Sequence, residues 1–143
     1  MNQVELYTDG SCDPATGAGG WAFILRHVET GHEIALAGKA DNSTNNRMEL
    51  SAVIEGLSQL DRGCEVFLVA DSKYVLDGLQ RWLHGWKKNG WKKSDKKPVK
   101  NQDLWMQLDE LKKRHKLKYY WVKGHNDHEE NERVDKMACD IRR

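Results

Sequence analysis

Apolar and polar side chains alternate from the start of the chain. Val4, Leu6 and Thr8 are interleaved with Glu5, Tyr7 and Asp9, a period of two that predicts a strand. A glycine-rich turn follows over residues 10–20, a second strand resumes over residues 21–25, and a third is expected near residues 33–38. The short turns between these three favour an antiparallel meander. From Asn46 the spacing changes to three and four, with Leu50, Val53, Ile54, Leu57 and Leu60 on one helical face until Gly63 interrupts. Residues 65–70 then read as a buried strand and residues 72–83 as a helix carrying Val75, Leu76, Leu79 and Leu83. Strand, helix, strand in that order implies a right-handed crossover and parallel pairing. Gly85, Gly90 and Pro98 are expected breakers. A further helix from residue 101 or 102 carries Leu104, Trp105, Leu108 and Leu111, and a strand follows over residues 117–122. The last helix runs from about residue 129 with Val134, Met137, Ala138 and Ile141 on its stripe. The expected class is α/β.

A chain of 143 residues, 38% apolar, is long enough for one well-buried core and too short for two ordinary domains. One domain over residues 1–143 is therefore expected. No apolar run approaches the roughly 18 residues of a membrane helix, and Met1-Asn2-Gln3 leads directly into the first strand rather than into a signal peptide. A cytoplasmic protein with no membrane partner is expected. Cys12, Cys64 and Cys139 are widely scattered and odd in number, which suits reduced thiols better than a disulfide framework or a zinc site.

The net charge of +1 hides an asymmetry. Seven lysines and one acid lie between Lys87 and Lys100, so that stretch carries +6 and the remainder −5. A basic element on a mildly acidic body is the footprint of a polyanion partner. Solvated charge runs are common, but this one lies beside Trp82, Trp86 and Trp91, and aromatic plus basic side chains suit a groove that tracks a nucleic-acid backbone. Trp121, in a strand, is expected to pack, and Trp105, beside Leu104 and Leu108, to be at least half buried.

Asp9 and Asp71 each end a short apolar run, and the carboxyl ends of neighbouring strands are where open α/β sheets bind ligands. Carboxylates brought together there repel unless a cation sits between them, and hard oxygen ligands suit Mg²⁺ or Mn²⁺. Metal-assisted phosphoryl chemistry is the reading that follows. Singly, each acid has a plainer explanation. Glu49, three residues after Asn46, could close a capping box; Asp71 could cap the helix after it; Asp9 could serve a turn; Asp135 could be one more solvated charge. The glycine-rich loop lacks the Gly-Lys-Ser/Thr ending of a phosphate-binding P-loop.

The words around these acids are Tyr7-Thr8-Asp9-Gly10-Ser11-Cys12, Thr44-Asn45-Asn46-Arg47-Met48-Glu49-Leu50, Ala70-Asp71-Ser72, Trp86-Lys87-Lys88, Gly90-Trp91, Lys96-Lys97-Pro98-Val99-Lys100-Asn101, Asp103-Leu104-Trp105, Trp121-Val122-Lys123-Gly124-His125 and Asn131-Glu132-Arg133. In this order and spacing they resemble the bacterial type 1 ribonuclease H family over essentially the whole chain. The resemblance implies a five-stranded mixed sheet, antiparallel for its first three strands and then parallel, with helices on both faces. It implies an endonuclease that cuts the RNA strand of RNA–DNA hybrids and leaves 5′-phosphate and 3′-hydroxyl ends. Two Mg²⁺ ions, with Mn²⁺ as a substitute, would be held by Asp9, Glu49, Asp71 and Asp135, and His125 would assist proton transfer or product release. Residues at about 82–100 would form the family's basic protrusion, gripping the DNA strand through Trp82, Trp86, Lys87, Lys88, Trp91, Lys92 and Lys93. Cys12, Thr44, Asn45, Asn46 and Lys73 fall at further substrate-contacting positions. A monomer is expected.

Three departures from the family's pattern bear on details. Asp13-Pro14-Ala15-Thr16 changes the loop after Cys12, so that Ala15 replaces an asparagine. Lys73 replaces a common glutamine, and its ammonium is expected on a backbone phosphate, on the carboxylate cluster, or in solvent. Only about two turns of helix follow Asp135, which would then rely on packing by Met137, Ala138 and Ile141. Two other functions compete with the hybrid nuclease: a superfamily DNA nuclease or strand-transfer enzyme, and a hybrid-binding module without catalysis, for which four intact acids would be unnecessary.

Overall fold

The computed structural model describes residues 1–123 and 128–143. Three strands come first, β1 (Asn2–Cys12), β2 (Gly19–His27) and β3 (Glu33–Ala40), then α1 (Asn45–Leu57), β4 (Cys64–Ala70), α2 (Lys73–Asp77), a π-helical turn (Gly78–Trp82), α3 (Leu83–Lys88), α4 (Gln102–Lys112), β5 (Lys116–Trp121) and α5 (Glu129–Ile141). The sheet order is β3-β2-β1-β4-β5. β1 and β3 each run antiparallel to β2, whereas β4 runs parallel to both β1 and β5. This is the five-stranded mixed sheet that the sequence led us to expect.

Successive strand residues point to opposite faces, and the two faces bury different helices. Leu6, Phe23 and Leu25 share a core with Leu50, Val53 and Leu57 of α1 and with Leu104, Trp105 and Leu108 of α4. Tyr7, Ala22 and Ile24 face the other way, onto Val134 and Ala138 of α5. On β4, Cys64, Val66, Leu68 and Ala70 are buried, while Glu65, Phe67 and Val69 are only partly covered. The strand expected to be buried is thus buried on one face, because α5 packs on the first three strands. No helix among the described residues is long and apolar enough to cross a membrane.

The helix expected over residues 72–83 is longer and not uniform: α2, the π-helical turn and α3 form one segment reaching Lys88. A Cβ on Gly78 would overlap the Trp105 indole, so this glycine lets the ring lie against the helix backbone. Lys112 Nζ donates to the Leu79 carbonyl at 2.6 Å, satisfying a main-chain acceptor in the widened turn. Gly85, an expected breaker, lies inside α3, and the helix stops only before Gly90, whose φ of +67° suits glycine. Lys87 and Lys88 consequently stand on a helix rather than a loop. The base of this protrusion is tied to the core by Tyr74, whose hydroxyl accepts from Trp105 Nε1 at 3.0 Å and from Asn101 Nδ2 at 3.1 Å.

Candidate active site

Asp9 lies near the C-terminal end of β1 and Asp71 immediately after β4, so the parallel pairing of these strands brings the two acids side by side. Glu49 comes from α1, and its position is not that of a capping residue. Thr44 is the N-cap, its Oγ1 accepting from the Arg47 amide at 3.2 Å, so the capping box suggested by Asn46 does not form. Asp71 is likewise displaced from capping by Ser72, whose Oγ accepts from the Val75 amide at 3.2 Å. The plainer explanations of both acids therefore fail on geometry. Instead, the Gly10 amide donates to Asp9 Oδ1 at 2.8 Å and to Glu49 Oε1 at 3.0 Å. A Cβ on Gly10 would overlap the backbone of Met48 and Glu49, and only glycine lets α1 approach β1 this closely.

One carboxylate oxygen from each of Asp9, Glu49 and Asp71 lies within 4.8 Å of the others, a set able to hold a metal ion. Asp135 of α5 lines the same open depression of about 340 Å³, together with Ser11, Asn45, Asn46 and Ser72. Cys139, one turn after Asp135, places its thiol 3.5 Å from Ser11 Oγ and 3.8 Å from Asp135 Oδ1, able to donate to either. Asp9 and Glu49 are 3% and 8% exposed. Burial is the main cause that pushes Asp9 up to about 7, opposed by its hydrogen bond with Glu49 and reinforced by the charge of Asp71. Burial, the bond to Asp9 and the charges of Asp9 and Asp71 hold Glu49 well above the ordinary carboxyl range. Glu49 Oε2 is buried with no hydrogen-bond partner. Desolvated, mutually repelling carboxylates with an oxygen left unsatisfied fit a divalent cation, which supplies the charge and the ligand bond that the protein withholds.

The other sequence-predicted residues divide into several groups. Asn45 and Asn46 both line the depression, Asn45 Oδ1 also accepts from the Cys12 amide at 2.7 Å, and Thr44 caps α1. Cys12 Sγ lies 3.3 Å from the Ser43 carbonyl, which ties the glycine-rich loop to the start of α1. Trp82, 39% exposed, and Trp86 line a groove of about 550 Å³ with Arg81, Asn89, Lys92, Lys93 and Ser94. Trp86 also packs edge-on to the fully buried Trp105, with ring centroids 5.3 Å apart, and Trp91 leans on the same core. Lys88 is exposed, and Lys87 is paired with Asp109 at 3.2 Å. His125 lies outside the described residues.

Lys73 is exposed at the start of α2, which agrees with the solvent-facing place among those expected for it. Its Nζ sits over the Trp121 ring, 4.4 Å from the centroid. Trp121, expected to pack, is 49% exposed, and its indole N–H donates to the Asp71 carbonyl at 3.0 Å. Arg81 in the groove was not among the residues expected from the sequence, although it directly precedes Trp82. Nor was Arg47, whose guanidinium binds both Asp103 oxygens, at 3.0 and 2.7 Å, and locks α1 to α4.

The sequence profile of the RNase H family matches residues 1–142. The chain is 54% identical over 140 residues to a ribonuclease H of Erythrobacter litoralis, covering 98% of this chain and 96% of that protein. It is 55% identical over 139 residues to a ribonuclease HI of Neisseria meningitidis serogroup B, covering 96% and 94%. Among solved structures, LC9-RNase H1, a type 1 RNase H with the type 2 active-site motif, superimposes with a TM-score of 0.85 at 28% identity, over 98% of this chain and 72% of that one. A foamy viral protease-reverse transcriptase in complex with dsDNA shares the fold at 20% identity, with a TM-score of 0.76. With sheet order, acid cluster and sequence in agreement over nearly its whole length, this chain belongs to the ribonuclease H family.

Proposed function

We propose that the protein hydrolyses the RNA strand of RNA–DNA hybrids endonucleolytically, leaving 5′-phosphate and 3′-hydroxyl ends, with residues 1–143 acting as one catalytic domain and as a monomer. The observation that carries this reading is the set of Asp9, Glu49 and Asp71 oxygens within 4.8 Å in a ribonuclease H chain, beside a buried Glu49 oxygen without a partner. Asp9, Glu49, Asp71 and Asp135 hold Mg²⁺, with Mn²⁺ as a substitute. Two divalent ions held by these residues would supply activation of water and neutralisation of charge at the scissile phosphate and the departing 3′-oxygen. The carboxylates are ligands and not the nucleophile, and the Gly10 amide orients two of them through its forked hydrogen bond. His125 assists proton transfer or product release.

The groove of Arg81, Trp82, Trp86, Lys92 and Lys93 grips the DNA strand, by stacking and by charge. Asn46 and the acids face the RNA strand, and selectivity for the hybrid comes from 2′-hydroxyls on one strand and deoxy geometry on the other. Incubation with labelled RNA–DNA hybrid, duplex DNA and duplex RNA, with and without Mg²⁺, tests the reading. Cleavage restricted to the RNA of the hybrid and dependent on metal is expected. Cutting of duplex DNA would assign a superfamily DNA nuclease instead, and tight hybrid binding without cleavage would assign a binding module.

A further inference from the structure

We infer that Trp121 and Lys73 act together as positioning residues for Asp71, the indole N–H of Trp121 anchoring the Asp71 peptide and the Lys73 ammonium holding the indole in place. The inference rests on the reading of Asp71 as a metal ligand.

β4 and β5 pair in parallel from Glu65 opposite Lys116 to Ala70 opposite Trp121, and the last rung is the Val122 amide donating to the Ala70 carbonyl at 3.0 Å. The next carbonyl along β4 belongs to Asp71, beyond the ladder and before the first turn of α2. It receives the Trp121 indole N–H at 3.0 Å. The side chain thus extends the hydrogen bonding of the sheet by one residue, onto the peptide that carries a member of the acid cluster. On the other side the same peptide leads into Ser72, which caps α2. Asp71 is therefore held from both directions.

Burial does not account for the tryptophan. An indole that stays 49% exposed at a strand end contributes less apolar burial than a packed one, so its contacts decide its orientation. Two of them fix it: the N–H bond to Asp71 and the ammonium of Lys73, 4.4 Å from the ring centroid. Lys73 is the first residue of α2, where the helix dipole disfavours a cation, and the face of the ring offers that charge a favourable partner. The lysine that departs from the family's usual glutamine thereby acquires a defined role: it reaches Asp71 through Trp121.

Partners that orient metal ligands typically change metal affinity or activity by about 10- to 100-fold when removed. Here the held group is a backbone carbonyl rather than the carboxylate itself, so the lower end applies. Trp121→Phe keeps a ring and removes the donor. Its Mg²⁺ half-saturation should rise about tenfold, with KM for hybrid close to the parent value. Lys73→Met should raise it by a smaller factor, and Lys73→Arg, which keeps the charge over the ring, should restore the parent behaviour. Binding is to be measured directly, by calorimetric Mg²⁺ titration of the substrate-free protein. In parallel, the Trp121 indole resonance, assigned by its loss in Trp121→Phe, should be slow to exchange with solvent and should shift as Mg²⁺ is added.

If the parent protein binds no Mg²⁺, the metal-site reading itself fails. If the parent binds and Trp121→Phe, folded by its thermal melt, binds equally well, the anchoring role alone is overturned. If Lys73→Met tightens Mg²⁺ binding, its ammonium competes with the ion rather than supporting the site. An unchanged Mg²⁺ affinity in Lys73→Met, a surface substitution with little risk to folding, would remove Lys73 from the device.

Discussion

Glu49 Oε1 accepts a hydrogen bond from the amide of Gly10 at 3.0 Å, and this contact helps join α1 to the end of β1 at the point where the acids meet. The approach is possible only because residue 10 has no side chain, since a Cβ would overlap the Met48 and Glu49 backbone. Gly10→Ala should force the helix away from the strand, at a cost of about 1–3 kcal/mol from overpacking. Because the displacement occurs between two metal ligands, Mg²⁺-dependent cleavage should fall much further than the fraction of folded protein. A thermal melt beside an activity assay checks this; activity that simply tracks the folded fraction would refute it.

The acid pair sets a pH dependence in the absence of metal. The folded value of Asp9, about 7, lies above the ordinary 3.8, and Glu49 is shifted the same way. A raised carboxyl pKa contributes stability that is fully present below the unfolded value and is lost as pH rises through the folded one. The chelated protein should therefore lose on the order of 2 kcal/mol between about pH 4 and pH 7.5, shared between two acids that titrate as a pair. Saturating Mg²⁺ should recover the loss at neutral pH. Asp9→Asn should flatten the chelated curve, raise the melting temperature at pH 7.5 and abolish cleavage. Parallel melts across this pH range, with chelator and with Mg²⁺, supply the comparison.

The basic groove divides its cations unequally. Lys87 is engaged with Asp109 at 3.2 Å, whereas Arg81, Lys92 and Lys93 line the groove with Trp82 and Trp86. Neutralising Arg81, Lys92 and Lys93 together should weaken hybrid binding and reduce its logarithmic salt slope by about 0.9 for each phosphate that is no longer neutralised. Lys87→Gln alone should change the slope less. Turnover at saturating hybrid should stay near the parent value in both, since the groove and the acid-lined depression share no lining residue. A salt titration of binding by each variant is the measurement, and equal slopes in parent and triple variant would make the groove a solvated surface.

Most strands and helices, and the acids that close them, were legible because each depends on near neighbours in sequence. Val4, Leu6 and Thr8 alternate, Leu50 to Leu57 recur at helical spacing, and Asp9 and Asp71 close apolar runs. What stayed hidden depends on partners distant in sequence. The π-helical turn at Gly78 is linked to Trp105 and Lys112, neither of which leaves a mark on residues 72–83. Gly85 looked like a breaker because propensity takes no account of Trp82 and Trp86, whose ring centroids lie 5.8 Å apart along the same segment. Trp121 looked like a core residue because its own segment does not reveal that β5 is an edge strand of the sheet and that Trp121 is its last residue. Thr44, rather than Asn46, caps α1, so the helix begins two residues earlier than a cap at Asn46 would place it.

The docking of α5, and with it the placement of Asp135, depends on a charged network at the sheet edge. Glu33 at the start of β3 accepts from Arg133 at 3.0 and 3.3 Å and from Arg26 at 2.9 Å, while Arg26 also reaches Glu130 at 3.1 Å. Arg133 is two residues before Asp135, so this network fixes the first turns of the helix against the sheet edge. The hydrogen bonds from Arg133 and then from Arg26 pull Glu33 down to about 2 from 4.5. A depressed carboxyl contributes stability that is present above the unfolded value and lost as pH falls through the folded one. Because the network is partly exposed, that contribution is about 1 kcal/mol rather than the full value of the shift. Glu33→Gln should therefore destabilise the protein at pH 6 and have almost no effect near pH 2, the opposite slope to Asp9→Asn. Together the two devices give the chelated parent a stability maximum at about pH 4–5, between loss of the Glu33 network below and ionisation of the buried acids above. Mg²⁺ should extend that maximum to neutral pH without altering the acid limb. A Glu33→Gln protein whose acid limb matches the parent's would show that the arginines dock α5 without help from this charge.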